Sequence, residues 1–127
     1  MRFLLSLIVL AFIGCADSSD SQVTGGEFTV HFENKEDHEL AKEIVEFWKE
    51  DSLMTGKPQD VRLKRTNKGY DLLLISNKMK SKKDLTFDDV KSLTTLENRL
   101  QTKVFGSEMV SIVIADENFK PLFRPNS

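Results

Sequence analysis

The 127-residue chain contains one cysteine, Cys15, so it can form no disulfide bond within itself. It also lacks the short patterns that most often carry catalysis, since no G-x-S-x-G, H-E-x-x-H, S-x-x-K or glycine-rich phosphate loop is present. Its two histidines, His31 and His38, belong to no pattern with metal-ligand spacing. These absences predict a protein that is not an enzyme and that holds no metal and no cofactor.

An excess of either charge is also missing. The only charged residue among the first fourteen is Arg2, and the residues that follow carry 17 basic and 20 acidic side chains, a net charge of −3 with the histidines neutral. A dedicated nucleic-acid-binding domain would be strongly basic. The sequence therefore predicts no nucleic-acid partner.

No apolar run is long enough to cross a membrane. The longest spans residues 3–13 and is broken only by Ser6, whereas a spanning helix needs about 20 apolar residues. Arg2 precedes this run, and Asp17 lies shortly after it. A positive charge followed by a short apolar stretch is typical of the hydrophobic region of a signal peptide.

The residues Phe12, Ile13, Gly14 and Cys15 resemble the lipobox of bacterial lipoproteins. In that family a small residue, here Gly14, precedes the cleaved bond, and the cysteine becomes the lipid-bearing N-terminus. The resemblance implies that residues 1–14 are removed and that Cys15 anchors the protein to a membrane. The protein would then belong to the bacterial cell envelope and face the periplasm or the cell exterior.

Two other fates of this segment stay open. Gly14, Cys15 and Ala16 form a small-x-small tripeptide, and cleavage after Ala16 would release a secreted, soluble domain without the cysteine. The segment could also remain as an uncleaved anchor. In either processed form Cys15 is neither a catalytic thiol nor half of an internal disulfide.

Residues 15–26 comprise the cysteine whose lipidation the resemblance implies and a segment rich in small and polar side chains, which predicts a flexible tether. The remainder, residues 27–127, has the length of a single domain. Alternation of apolar and polar residues predicts strands at 27–33, 60–65 and 108–115, and a run that is apolar on both faces predicts a central strand at 70–76. Apolar residues at helical spacing predict helices at 35–51 and 86–105.

The order strand, helix, strand, strand, helix, strand is the pattern of the ferredoxin-like fold. We therefore predict an α+β sandwich, in which two helices cover one face of an antiparallel four-stranded sheet. The other face would be open, and it would carry Thr29, His31, Arg62, Leu73 and Val113. An apolar centre with a polar rim is typical of an interaction surface.

The simplest use of this face is homodimerisation, and a separate protein partner is the other. Alternatively, the tail at residues 119–123 folds back and covers the apolar centre.

Four lysines, Lys78, Lys80, Lys82 and Lys83, lie in a predicted loop between the third strand and the second helix. A lipid anchor would keep this loop near a membrane, where each lysine near anionic headgroups contributes about 1 kcal/mol. We therefore predict a membrane-surface contact. An ordinary solvated loop would have the same composition.

Glu97 is the one charged residue placed within the apolar stripe of the second predicted helix. A buried carboxylate needs a partner or a raised pKa, and acids in catalysis arise in the same way. One interpretation is a weak hydrolase that uses this carboxylate. In the other, Glu97 lies at the edge of the stripe and reaches solvent or a lysine.

Taken as a whole, the sequence predicts a small lipid-anchored envelope protein that works as a binding or protein-interaction module. The alternatives are a secreted soluble domain and a weak carboxylate hydrolase. An inhibitor of one exported partner would have the same sequence features as the binding module.

Overall fold

The computed structural model describes residues 21–126. The signal peptide at 1–14, the lipidated Cys15 and the first part of the predicted tether therefore lie outside the described residues. The strands, in chain order, are β1 (Ser21–Gly25), β2 (Phe28–Phe32), β3 (Gln59–Arg65), β4 (Gly69–Ile75), β5 (Met109–Ala115) and β6 (Pro121–Phe123). The helices are α1 (His38–Glu50) and α2 (Phe87–Leu100), and α2 continues into a π-helical turn at Gln101–Phe105.

All six strands form one mixed sheet in which their spatial order equals their chain order. The pairs β1–β2, β3–β4 and β5–β6 are antiparallel hairpins. The pairs β2–β3 and β4–β5 are parallel, and α1 and α2 are their respective crossovers. Each helix thus connects two neighbouring strands.

The α+β class is confirmed, but the predicted ferredoxin-like sheet of four antiparallel strands is wrong. In that fold the crossover skips a strand position. Here the two strands that flank a helix are direct neighbours, as the pairing of Val30 with Val61 and of Leu72 with Ile112 shows.

Two strands come from segments that were predicted to be something else. Residues 21–25 were assigned to the flexible tether, but they form β1 at the edge of the sheet. A close turn makes this possible, because Gly26 has a positive φ of 63° and Gly25 lies directly against α1. A Cβ atom at Gly25 would overlap the side chain of Val45. The second is β6, in the C-terminal tail, for which the sequence indicated a segment that folds back but not a strand.

The main core lies between the sheet and both helices. Phe28 and Trp48 stack in it with ring centroids 4.4 Å apart. The largest fully buried side chains are Phe28, Val30, Phe32, Ile44, Leu63, Leu72, Leu73, Leu100, Ile112 and Ile114. Most of them belong to this core, but Leu73 belongs to a second, small cluster on the opposite face.

Two carboxylates fix the ends of α1. Asp37, which is 2 % exposed, precedes the helix and accepts hydrogen bonds from the Arg65 guanidinium and from the Tyr70 hydroxyl at 2.9 Å. Asp51, at the other end, pairs with Arg99 at 3.0 Å and with Lys103 at 3.3 Å. These contacts attach α1 to the β3–β4 hairpin and to α2.

Candidate functional site

The sheet face opposite the helices, here called the open face, carries every second side chain of each strand. The register places His31, Arg62, Leu73 and Val113 in a single row across four neighbouring strands. Thr29 lies on the same face of β2, two residues before His31, and its partner on β3 is Asp60. Strand alternation thus brings together the five residues that the sequence assigned to one interaction face.

The exposed apolar centre predicted for this face is absent. Leu73 is only 2 % exposed and Val113 only 3 %. Phe119, from the turn between β5 and β6, packs on them and on Ala115. Of the two alternatives for this face, the structure therefore shows residue 119 covering the centre.

Phe119 occupies an unusual backbone conformation, with a φ of 61°. Asp116 stabilises the turn, because its carboxylate accepts hydrogen bonds from the amides of Asn118 at 2.8 Å and Lys120 at 2.9 Å. A bulky residue at positive φ is rare, and such strained positions cluster at ligand-binding sites. The turn therefore holds an aromatic ring at a position that usually favours glycine.

The half-buried ring of Phe119 lies beside the side chains of His31 and Arg62. Its centroid is 5.4 Å from the imidazole of His31 and 5.9 Å from the Arg62 Cζ atom. His31 Nε2 lies 3.0 Å from Asp60 Oδ1, and Arg62 donates a hydrogen bond of 2.9 Å to Glu33. The charged groups beside the ring are thus held in fixed pairs.

A third pair stands further along the face. Arg124 donates two hydrogen bonds of 2.8 Å to the two carboxylate oxygens of Asp71. This bidentate contact raises the pKa of Arg124 above its ordinary value and connects the C-terminal tail to β4 across β5. The tail is thereby fixed against the open face.

The four predicted lysines, Lys78, Lys80, Lys82 and Lys83, are all exposed in the segment that follows β4. Two capping boxes, Ser81 with Asp84 and Thr86 with Asp89, shape this segment and the start of α2. The hydrogen bonds from the Thr86 amide and hydroxyl lower the pKa of Asp89.

Phe87 stands next to these lysines as the first residue of α2. At 81 % exposure it is the most exposed large apolar side chain among residues 21–126. It was not predicted as a site residue, although its position beside four lysines in the sequence was a usable signal.

The side chain of Glu97 accepts hydrogen bonds from β5 and from the C-terminal tail. Its Oε1 accepts the backbone amide of Ile112 at 2.8 Å, and its Oε2 accepts the side-chain amide of Asn126 at 3.1 Å. Gln101, one turn later, accepts the amide of Val110 at 3.0 Å. These two β5 amides lie outside the short pairing with β6, so the side chains of Glu97 and Gln101 serve as their acceptors. The need for such an acceptor explains why a carboxylate stands within the apolar stripe of α2.

The histidine–carboxylate pair of the open face is His31 with Asp60. A histidine hydrogen-bonded to a carboxylate is how general bases are oriented. However, the nearby Thr29 hydroxyl is hydrogen-bonded to Thr24 at 3.0 Å. Among residues 21–126 no three histidine, cysteine or acidic side chains meet as metal ligands, and no helix there could cross a membrane.

No family model, no curated protein and no solved structure matches this chain. The residues missed by sequence reasoning are Glu33, Asp60 and Phe87, whereas Phe119 belongs to the tail that one of the two alternatives placed over this face. The turn sequence of Asp116, Glu117 and Asn118 does not indicate that the ring of Phe119 points at His31 and Arg62.

Proposed function

We propose that the protein is a lipid-anchored binding module of the bacterial envelope that contacts a protein partner through its open face. The observation that carries this proposal is Phe119, a half-exposed aromatic ring at positive φ between His31 and Arg62. Aromatic and arginine side chains dominate the binding energy of protein interfaces. The ion pairs around the ring supply the polar rim that such interfaces have.

The anchor is supported by the lipobox-like residues 12–15. Intact-mass measurement on protein extracted from membranes tests it directly. The expected product begins at a lipid-modified Cys15, and a mature N-terminus at Asp17 would contradict the proposal.

The partner is best sought by site-specific photo-crosslinking in intact cells. Gln22 and Lys64 are exposed on the open face, whereas Glu43 is exposed on α1, on the helical side. A photoreactive residue at position 22 or 64 is expected to give one discrete adduct, and the same residue at 43 is the matched control. An adduct of twice the chain mass would identify a second copy as the partner. Equal labelling from all three positions would contradict a binding role for the open face.

Phe119→Gly is the most informative variant in this experiment. Glycine adopts a positive φ without strain, so the turn should persist while the ring is lost. The relief of about 1 kcal/mol should partly offset the lost packing, which makes Phe119→Gly more stable in thermal unfolding than Phe119→Ala. We expect the open-face adduct to disappear in the folded Phe119→Gly protein, and a retained adduct would exclude the ring from binding.

A further inference from the structure

One end of the domain combines basic charge with an exposed aromatic ring. Residues 77–91 contain five lysines and three aspartates. Two of those aspartates accept hydrogen bonds from backbone amides. Asp84 accepts from the amides of Lys80 and Ser81, and Asp89 accepts from the amide of Thr86. Phe87, 81 % exposed, projects from the same segment, which we call the lysine end.

We propose that the lysine end docks on the anionic surface of the membrane that holds the lipid anchor, with Phe87 inserted among the headgroups. This proposal rests on the lipid anchor of the proposed function. Aromatic rings favour the interfacial layer of a bilayer, and lysines beside them are attracted to anionic headgroups. The lysine end has both an exposed aromatic ring and lysines, so its apolar and its charged side chains both favour an anionic membrane surface.

The length of the chain before β1 permits this orientation. Cys15 and Ser21 are six residues apart in sequence. Fully extended, six residues reach at most about 21 Å. Ser21 pairs with Phe32, and the register places it level with Leu72 in the middle of β4. Ile75, where β4 ends, lies about 10 Å further along the strand direction, and the lysine end follows it. An extended linker can therefore connect Ser21 to a membrane that touches the lysine end.

The opposite end of the sheet is less suited to an anionic surface. Its loops carry three glutamates, Glu33, Glu36 and Glu108, against two lysines, Lys35 and Lys68, and Arg65 there is engaged by buried Asp37. The exposed apolar side chain at that end is Met109, which is not aromatic. At the lysine end, Asp116 and Glu117 line a hollow of about 460 Å³ together with Lys80. Lys78 and Lys83 are therefore the better lysines to test.

Fluorescence quenching by brominated acyl chains distinguishes the two ends. The full lipidated protein, with Phe87→Trp or with Met109→Trp as the matched control, is reconstituted into vesicles of equal parts phosphatidylglycerol and phosphatidylcholine. The native Trp48 is buried, at 4 % exposure, and gives a constant background. We expect strong quenching of Trp at position 87 and little at position 109. Quenching at 109 alone, or at neither position, would overturn the proposal.

Charge is tested in the same vesicles. Lys78→Gln with Lys83→Gln, added to Phe87→Trp, should lower the equilibrium constant for docking by on the order of fivefold for each lysine removed. Lys64→Gln with Lys68→Gln, at other positions of the domain, is the control and should change nothing. Vesicles of phosphatidylcholine alone should abolish most of the quenching, and equal quenching in both lipids would overturn the electrostatic part.

The two proposals fail in different ways. An unlipidated N-terminus in the mass spectrum overturns the anchor and, with it, the docking. A lipidated protein with an unquenched Trp at position 87 overturns the docking alone and leaves the open-face partner unaffected.

Discussion

Tyr70 is the only tyrosine of the chain and reports on one residue pair. Its hydroxyl donates a 2.9 Å hydrogen bond to the buried carboxylate of Asp37. Burial raises the pKa of Tyr70 above its ordinary 10.0, and the hydrogen bond and negative charge of Asp37 raise it further, while Arg65 opposes them. The neutral phenol is thus the form that the folded protein prefers.

Ultraviolet titration of tyrosinate absorbance measures this pKa without interference from another tyrosine. We expect a value above 10.0 in the folded protein. Asp37→Asn should move it part of the way back, because burial remains. A folded-state value at or below the ordinary one would contradict the geometry of this pair.

The same shift predicts a dependence of stability on pH. Because the folded-state pKa is raised, the folded protein binds more protons than the unfolded chain above about pH 10. The stabilisation is fully present below that pH and is lost as the pH rises through the folded-state pKa. Above about pH 10, the free energy of unfolding should fall less steeply with pH in Tyr70→Phe than in the unsubstituted protein. Denaturant unfolding at a series of alkaline pH values measures this slope.

Residue-level features were predictable only where they repeat along the chain. The burial of Phe28 and Trp48 agrees with the strand and helix periods of the residues around them. The burial of Asp37 depends on Arg65 and Tyr70, which lie 28 and 33 residues away. A local pattern cannot indicate a partner at that distance.

At the scale of elements, the four longer strands and both helices were predicted from periodicity. Strand pairing was not, because the same order of elements fits crossovers that skip a strand and crossovers that join neighbours. Strand β1 contains one apolar residue, Val23, so no alternation marks it. Its position follows from the Gly26 turn and from the close approach of Gly25 to α1.

The part of β5 that does not pair with β6 gives a prediction about Glu97. Glu97→Ala leaves the amide of Ile112 without its acceptor, and we expect a loss of about 2 kcal/mol in the free energy of unfolding. Glu97→Gln keeps an acceptor oxygen and should lose less than about 1 kcal/mol. Denaturant unfolding followed by Trp48 fluorescence measures both variants.

The two variants also separate the structural from the catalytic interpretation of Glu97. A hydrolase would lose its activity in both variants, whereas edge protection is retained in Glu97→Gln. Equal destabilisation by the two substitutions would show that the hydrogen bond to Ile112 does not matter to stability.

At the scale of the whole molecule, residues 21–126 divide into two halves, each with three strands and one helix. Strands β1, β2 and β3 surround α1, and β4, β5 and β6 surround α2. They are joined by the β3–β4 pairing, by Asp37 with Tyr70 and by Asp51 with Arg99 and Lys103. One hydrophobic cluster extends from Phe28 in the first half to Ile112 in the second.

This continuity predicts that the two halves unfold together. Trp48 fluorescence reports on the first half, since the indole stacks on Phe28. Amide hydrogen exchange of β5 reports on the second half. The two halves share one core and are joined by the β3–β4 pairing and by the contacts of Asp37 and Asp51. Both probes should therefore give the same free energy of unfolding and the same denaturant midpoint. Exchange of β5 amides at a lower free energy, with Trp48 still native, would mean that the halves are separate cooperative units and that the contacts of Asp37 and Asp51 do not couple them.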